Sequence, residues 1–178
     1  VKGTTVKAVV VYQSLWGSTA AIAHAIGEGL GKGAVVKSTT EATANVLKGA
    51  DLIVAGAPIH AFGLPSESTV RSAQSKPIGP SKVAPNVSHQ LMRTWLRELP
   101  PGSAKIAAFD TRVSGPLGHG GATKIMKALK KAGYIPIADP RGFLVAMRPA
   151  DPTIHGILLD GEVERAREWG QELARTLG

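Results

Sequence analysis

Apolar residues along this chain fall in short dense runs, and the runs alternate between a strand-like and a helix-like spacing. Residues 6–12 form a nearly continuous β-branched run, which predicts a buried parallel strand. Ile22, Ala25, Ile26 and Leu30 then share one helical face, and the four glycines within 27–33 predict the end of that helix. Residues 34–38 read as a short strand, 41–48 as a short helix or turn, and 51–57 as a second strongly apolar strand. A helix is expected over 66–74 with Ser66 as its cap, and an irregular loop over 75–87. Residues 87–99 are amphipathic, with Leu91, Trp95, Leu96 and Leu99 inward, and Pro100 and Pro101 stop that helix. A strand over 104–109 and a helix over 122–132 follow. Residues 134–145 hold two short extended pieces, an interrupted edge strand. The last helix, 161–177, sets Val163, Ala166, Trp169, Gly170, Leu173 and Leu177 on its buried face. Strands alternating with helices predict a parallel sheet covered on both faces, joined by right-handed crossovers.

The most informative junction joins the first strand to the first helix through Ser14, Leu15, Trp16, Gly17, Ser18 and Thr19. A strand entering a helix through such a loop presents backbone N–H groups and the positive end of the helix dipole, which suits a phosphate. Three hydroxyls add donors. The loop has no Lys, so it is not a Walker A loop, and it lacks the G-x-G-x-x-G of a dinucleotide site. On this chemistry alone, Ser18 capping an otherwise empty helix is an equal alternative.

The same segment resembles the FMN-phosphate loop of the flavodoxin family. That signature runs apolar pair, aromatic, any residue, Ser/Thr, two residues, small residue, one residue, Thr, three residues, Ala. The chain supplies Val10-Val11, Tyr12, Gln13, Ser14, Leu15-Trp16, Gly17, Ser18, Thr19, Ala20-Ala21-Ile22 and Ala23. Trp16 departs from the smaller residues common there. The resemblance implies a flavodoxin-like α/β three-layer sandwich: a five-stranded parallel sheet of order 2-1-3-4-5 with helices on both faces and FMN at its switch point. It makes the whole chain, 1–178, a single FMN-binding domain.

Two further loops follow predicted strands, and the resemblance assigns both to the flavin ring. The first is Ala57, Pro58, Ile59, His60, Ala61, Phe62 and Gly63, whose apolar side chains need a cover; Phe62 either meets the ring or folds back into the core. The second comprises Asp110, Thr111, Arg112, Gly115, Pro116, Leu117 and Gly118. Flavodoxins often place an aromatic in this second loop, and none lies between Asp110 and Gly121. Arg112 and His60 put positive charge near the ring position, which predicts a less negative potential for the flavin's second one-electron reduction; the equal alternative is that Arg112 points into solvent or pairs with Asp110.

Composition narrows the field. The 178 residues contain no cysteine, which excludes disulfides, thiol catalysis and thiolate metal sites. No apolar run reaches the ~18 residues of a membrane span, and the early first strand leaves no room for a signal peptide, so a cytoplasmic location is expected. The net charge of +8 favours acidic partners, while aromatics at 4% supply few stacking platforms for nucleic acid. Five scattered histidines make no i, i+4 metal clamp, and no G-x-S-x-G elbow occurs. The leading reading is an FMN-binding electron-transfer protein that serves a redox partner protein. The alternatives are an FMN-dependent reductase of quinones or nitroaromatics, and a flavin-free interaction module of the same fold.

Overall fold

A computed structural model of the chain describes residues 5–60, 63–75, 84–115, 120–146 and 157–178. Strand β1 (Ala8–Tyr12) leads into α1 (Ser18–Leu30), then β2 (Ala34–Ser38), α2 (Ala44–Leu47) and β3 (Leu52–Pro58). Helices α3 (Glu67–Ser75) and α4 (Met92–Glu98) precede β4 (Lys105–Val113) and α5 (Gly121–Lys131). The chain continues through β5 (Ile135–Pro136), β6 (Arg141–Ala146) and β7 (Ile157–Leu158) to α6 (Glu162–Leu177).

The strands form one sheet of order β2-β1-β3-β4-β6-β7, with β5 also paired to β4. All neighbours run parallel except β6 and β7. The expected order 2-1-3-4-5 is present, but the count of five strands needs correction. The fifth position is occupied in two pieces: Lys105 and Ile106 face Ile135 and Pro136, and Phe109 to Val113 face Arg141 to Val145. Between these ladders, four residues on the edge side oppose two on β4, so the strand cannot stay in one register. Pro140, which has no N–H for a ladder, lies in that gap. The antiparallel β7 then adds a short outer edge. No helix among the described residues is long and apolar enough to cross a membrane.

Each face of the sheet carries its own core. On one, Val9, Val11, Ile53, Ala55, Ile106 and Ala108 pack with Met92 and Trp95 of α4 and Ile125, Met126 and Leu129 of α5. On the other, Val10, Val54 and Phe109 pack with Ile22 and Ile26 of α1, Phe143, and Trp169 and Leu173 of α6. The period-2 alternation of β1, β3 and β4 thus feeds both layers, as a parallel sheet requires.

Glycine sets the spacing of the second layer. A Cβ on Gly29 would lie 2.0 Å from the Arg167 carbonyl oxygen, and one on Gly170 would lie 2.3 Å from that of Ile26. Helices α1 and α6 therefore meet backbone to backbone. Gly27 and Gly29, expected to end α1, lie inside it; the chain leaves the helix at Gly31, whose φ of 84° suits a residue without Cβ. Ser66 behaves as expected, its hydroxyl accepting the Thr69 N–H at the start of α3. Val163, expected in the core, is exposed.

Candidate functional site

The carboxyl ends of β1, β3 and β4 meet at one rim, beside the point where strand order reverses about β1. Into this rim β1 delivers the loop of Ser14 to Thr19. Gly17 adopts φ 99° and is the residue before α1, where only glycine is comfortable. It has no side chain with which to cap the first turn, and that turn contains no acidic residue. Ser18, one candidate for the cap, is instead the first residue of the helix. The Ser14 hydroxyl accepts the Gly17 N–H at 3.1 Å, which folds the loop into a tight turn. Ser14, Leu15 and Thr19 are buried.

Thr19 reaches across β3 to β4. Its hydroxyl shares a 2.8 Å hydrogen bond with that of Thr111, and both residues are buried. Trp16 lies against His60 of the second candidate loop, ring centroids 5.5 Å apart and planes 39° from parallel. His60 and Gly63 exchange backbone hydrogen bonds of 2.7 and 2.9 Å, which fastens that loop at its base. Ile59 donates its N–H to the Thr111 carbonyl, so the loop stays tied to β4 beyond the end of β3. The structure thus brings Trp16, Thr19, Ile59, His60, Gly63 and Thr111 to one rim. Ala61, Phe62, Pro116, Leu117 and Gly118 lie outside the described residues.

Several assigned residues belong to strands and not to loops. Ala57 and Pro58 end β3, and Asp110, Thr111 and Arg112 continue β4. The reason is pairing: Ala57 faces Asp110 and Pro58 faces Thr111, while β6 extends the ladder to Val113. Of the arrangements open to Arg112 from the sequence, the structure has the pairing with Asp110. Its guanidinium returns two residues along β4 to clasp the fully buried Asp110 carboxylate, at 2.5 Å from Nε and 2.6 Å from Nη2. Asp110 also accepts the Ala122 N–H at 2.7 Å, so it caps α5 from inside the sheet. Gly142, the register partner of Asp110, leaves the space for this clasp, since its Cβ would lie 2.2 Å from Arg112 Nε.

A third wall was not expected. Residues 86–91 run across the ends of β1 and β2 as an irregular strap, although the amphipathic pattern predicts a helix from Val87. The helix begins only at Met92 because the strap's hydrogen bonds go elsewhere. Asn86 donates its N–H to the Leu15 carbonyl, Gln90 to the Thr40 hydroxyl, and Met92 to the Gln13 side chain. His89 Nδ1 accepts the Ser14 N–H at 3.3 Å, and its ring meets the Tyr12 ring edge-on. Burial holds His89 below the usual imidazole value, although the nearby charge of Glu41 pulls the other way. Burial, and then the charge of Glu41, push the Tyr12 phenol up. Glu41 is itself held low by the Ser38 N–H. Beneath the strap lies an open cavity of about 360 Å³ bounded by Gln13, Leu15 and His89 on one side and Val70, Arg71 and Gln74 of α3 on the other.

Chemically, the rim offers a helix N-terminus with hydroxyl donors and without its own carboxylate. The neighbouring helix α5 is already capped by Asp110. No group of three His, Asp or Glu side chains is placed to hold a metal among the described residues. Neither a family model nor a curated protein matches the sequence. Solved structures do share its fold. A flavodoxin from the domain Archaea aligns over 96% of this chain and 98% of its own, with a TM-score of 0.63 and 20% identity. A short-chain flavodoxin associated with a non-canonical PDU bacterial microcompartment aligns over 97% and 99%, with a TM-score of 0.64 and 15% identity. A flavodoxin, WrbA-like protein from Agrobacterium tumefaciens aligns over 97% of both chains, with a TM-score of 0.57 and 21% identity. The chain therefore has the flavodoxin-like fold.

Proposed function

We propose that this chain binds FMN at the rim of β1, β3 and β4 and carries electrons to a redox partner protein. The observation that supports this most is the start of α1. Its positive dipole end opens beside Ser14, Ser18 and Thr19 at the strand-order switch point, and the first turn of the helix contains no acidic residue. Phosphate oxygens would take that place. The Ser14 hydroxyl, already accepting from Gly17, keeps its own proton to donate, and Thr19 keeps its proton when Thr111 is the donor in their bond. The loop that begins at Ile59 and His60 would lie along one side of the isoalloxazine ring, and the end of β4 with Gly115 along the other. When bound, the flavin supplies the redox chemistry; the protein's part is to position it and shape its surroundings.

The test is a titration of the purified protein with FMN and riboflavin. FMN is expected to bind tightly and riboflavin much more weakly. Without the phosphate, donors facing it stay unpaired at ~1–3 kcal/mol each. Equal affinity for the two flavins would reject the phosphate assignment, and no change in flavin fluorescence with either would reject flavin binding.

A further inference from the structure

We propose that the outer surface of α4 and α5 is a docking site for an acidic protein, with Arg93 and Lys124 at its inner end. That this protein is the redox partner rests on the flavin reading above.

The chain's positive charge is not spread evenly. Helix α5 exposes Lys124, Lys127, Lys130 and Lys131 and contains no carboxylate. Helix α4 exposes Arg93 and Arg97 and carries one carboxylate, Glu98. Both helices pack on the same side of the sheet, through Met92, Trp95, Ile125 and Leu129. On the opposite side, α1 and α6 hold three arginines against five glutamates, and Arg165 and Arg167 are paired with Glu162, Glu28 and Glu164. Among the described residues, no ion pair involves any of the six cations on α4 and α5. The net charge of +8 is therefore concentrated on the α4/α5 side.

The arrangement has a direction. Lys124, Lys127 and Lys131 have i, i+3, i+7 spacing, which sets them in one stripe about 10 Å long at 1.5 Å per residue. At the inner end of the stripe, Arg93 Nη2 and Lys124 Nζ each approach within 3.3 Å of the point where a Gly63 Cβ would lie. Arg93 spends donors on the Leu64 and Pro65 carbonyls, which hold its charge in place without neutralising it. Two like charges brought to one point repel, and an anion arriving between them reverses the sign of the interaction. Gly63 is bonded to His60, which lies on Trp16, so the stripe ends at the rim described above. A partner seated there would be steered by charge and would face that rim.

Acidic protein fits better than nucleic acid. A single-strand binder needs aromatic rings beside its cations. The aromatic of α4, Trp95, is buried with its indole N–H on the Ala42 carbonyl, and α5 has none.

The experiment titrates a labelled eight-residue polyglutamate peptide onto the full chain, with and without added FMN, at low and at physiological salt. One variant carries K124E, K127E and K131E. A control carries K32E, K48E and K105E, exposed lysines elsewhere on the surface whose reversal changes the net charge equally. The expected result is salt-sensitive binding, weakened at least about tenfold in the first variant and little in the control. Equal loss in both variants, or no binding by the wild type, would overturn the proposal. Tighter binding of a single-stranded DNA of matched charge, lost in the same first variant, would also overturn it and assign the surface to nucleic acid. Peptide binding does not need flavin. A chain that binds peptide as expected but not FMN keeps the docking site and loses the redox role; one that binds FMN but treats both variants alike loses the docking site only.

Discussion

Thr19 and Thr111, 92 residues apart in sequence, share a buried 2.8 Å hydrogen bond between their hydroxyls. One residue lies in the first turn of α1 and the other near the end of β4, so the bond ties the loop of Ser14 to Thr19 to that strand. Thr111→Val leaves the Thr19 hydroxyl buried without this partner and should cost about 1–3 kcal/mol of stability. Removing both hydroxyls, in Thr19→Val with Thr111→Val, should cost less than the two single changes added together. FMN affinity should fall with Thr19→Val and much less with Thr111→Val. Urea unfolding gives the first comparison and flavin titration the second; equal losses of affinity would mean that Thr19 acts only by holding the two elements together.

The Asp110–Arg112 pair should behave as a structural unit. Arg112→Gln strands a fully buried carboxylate and should destabilise the protein by about 3–5 kcal/mol. Adding Asp110→Asn should restore part of that loss. Because the pair is neutral as a whole, the flavin potential of the Arg112→Gln, Asp110→Asn double variant should stay near the wild-type value. A shift of tens of millivolts, read by spectroelectrochemistry, would return to Arg112 the tuning role that its sequence position suggested.

His89 makes the loop sensitive to pH. Its pKa is lowered on folding from 6.5, so the unfolded chain takes up the proton first as pH falls. The stability it contributes is present above about pH 6.5 and is lost as pH drops from there through the folded value. Protonation also removes the Nδ1 acceptor of the Ser14 N–H. FMN affinity and the urea midpoint should both decline between about pH 7.5 and pH 5.5. His89→Asn keeps an acceptor near that position and cannot titrate, so its profile should be flatter. Superimposable profiles would show that another group is responsible.

Gly29→Ala and Gly170→Ala should each destabilise by about 1–3 kcal/mol or more, because the new methyl meets backbone and not a movable side chain. Gly49→Ala is the comparison: it meets nothing within 4 Å and suffers only from its φ of 71°. Thermal melts that rank Gly49→Ala as the most damaging would contradict the close α1–α6 approach.

Local pattern revealed the parts of this fold whose causes are local. The run from Val6 to Tyr12, the loop to Thr19 and the apolar face of α1 lie in one continuous stretch, and period and loop chemistry agree there. The helix predicted from Val87 starts only at Met92 because the partners of the preceding strap, Leu15, Ser14 and Gln13, are more than seventy residues away. Amphipathic spacing at Leu91 and Trp95 carries no sign that the N–H groups before the helix are bonded across to the loops that follow β1 and β2. Asp110 and Arg112 look like loop residues after an apolar run. Only the pairing with β3 and β6 places them in a strand, and only Gly142 opposite leaves room for the guanidinium. Gly29 of α1 reads as a helix breaker until α6 is laid against it, and Gly27 until Val36 of β2 is.

The two ends of the sheet bear on how the molecule behaves in a crowd. An open parallel sheet always has two margins where backbone groups could recruit a strand from another molecule. Here one margin is β2, five residues long with Lys37 within it, and the other is β6 with β7, which among the described residues is two residues long and antiparallel to β6. A visiting strand would find a short, charged template on one side and an even shorter, reversed one on the other. Both margins therefore discourage edge-to-edge aggregation, and two molecules that meet are steered toward contact through helices and loops.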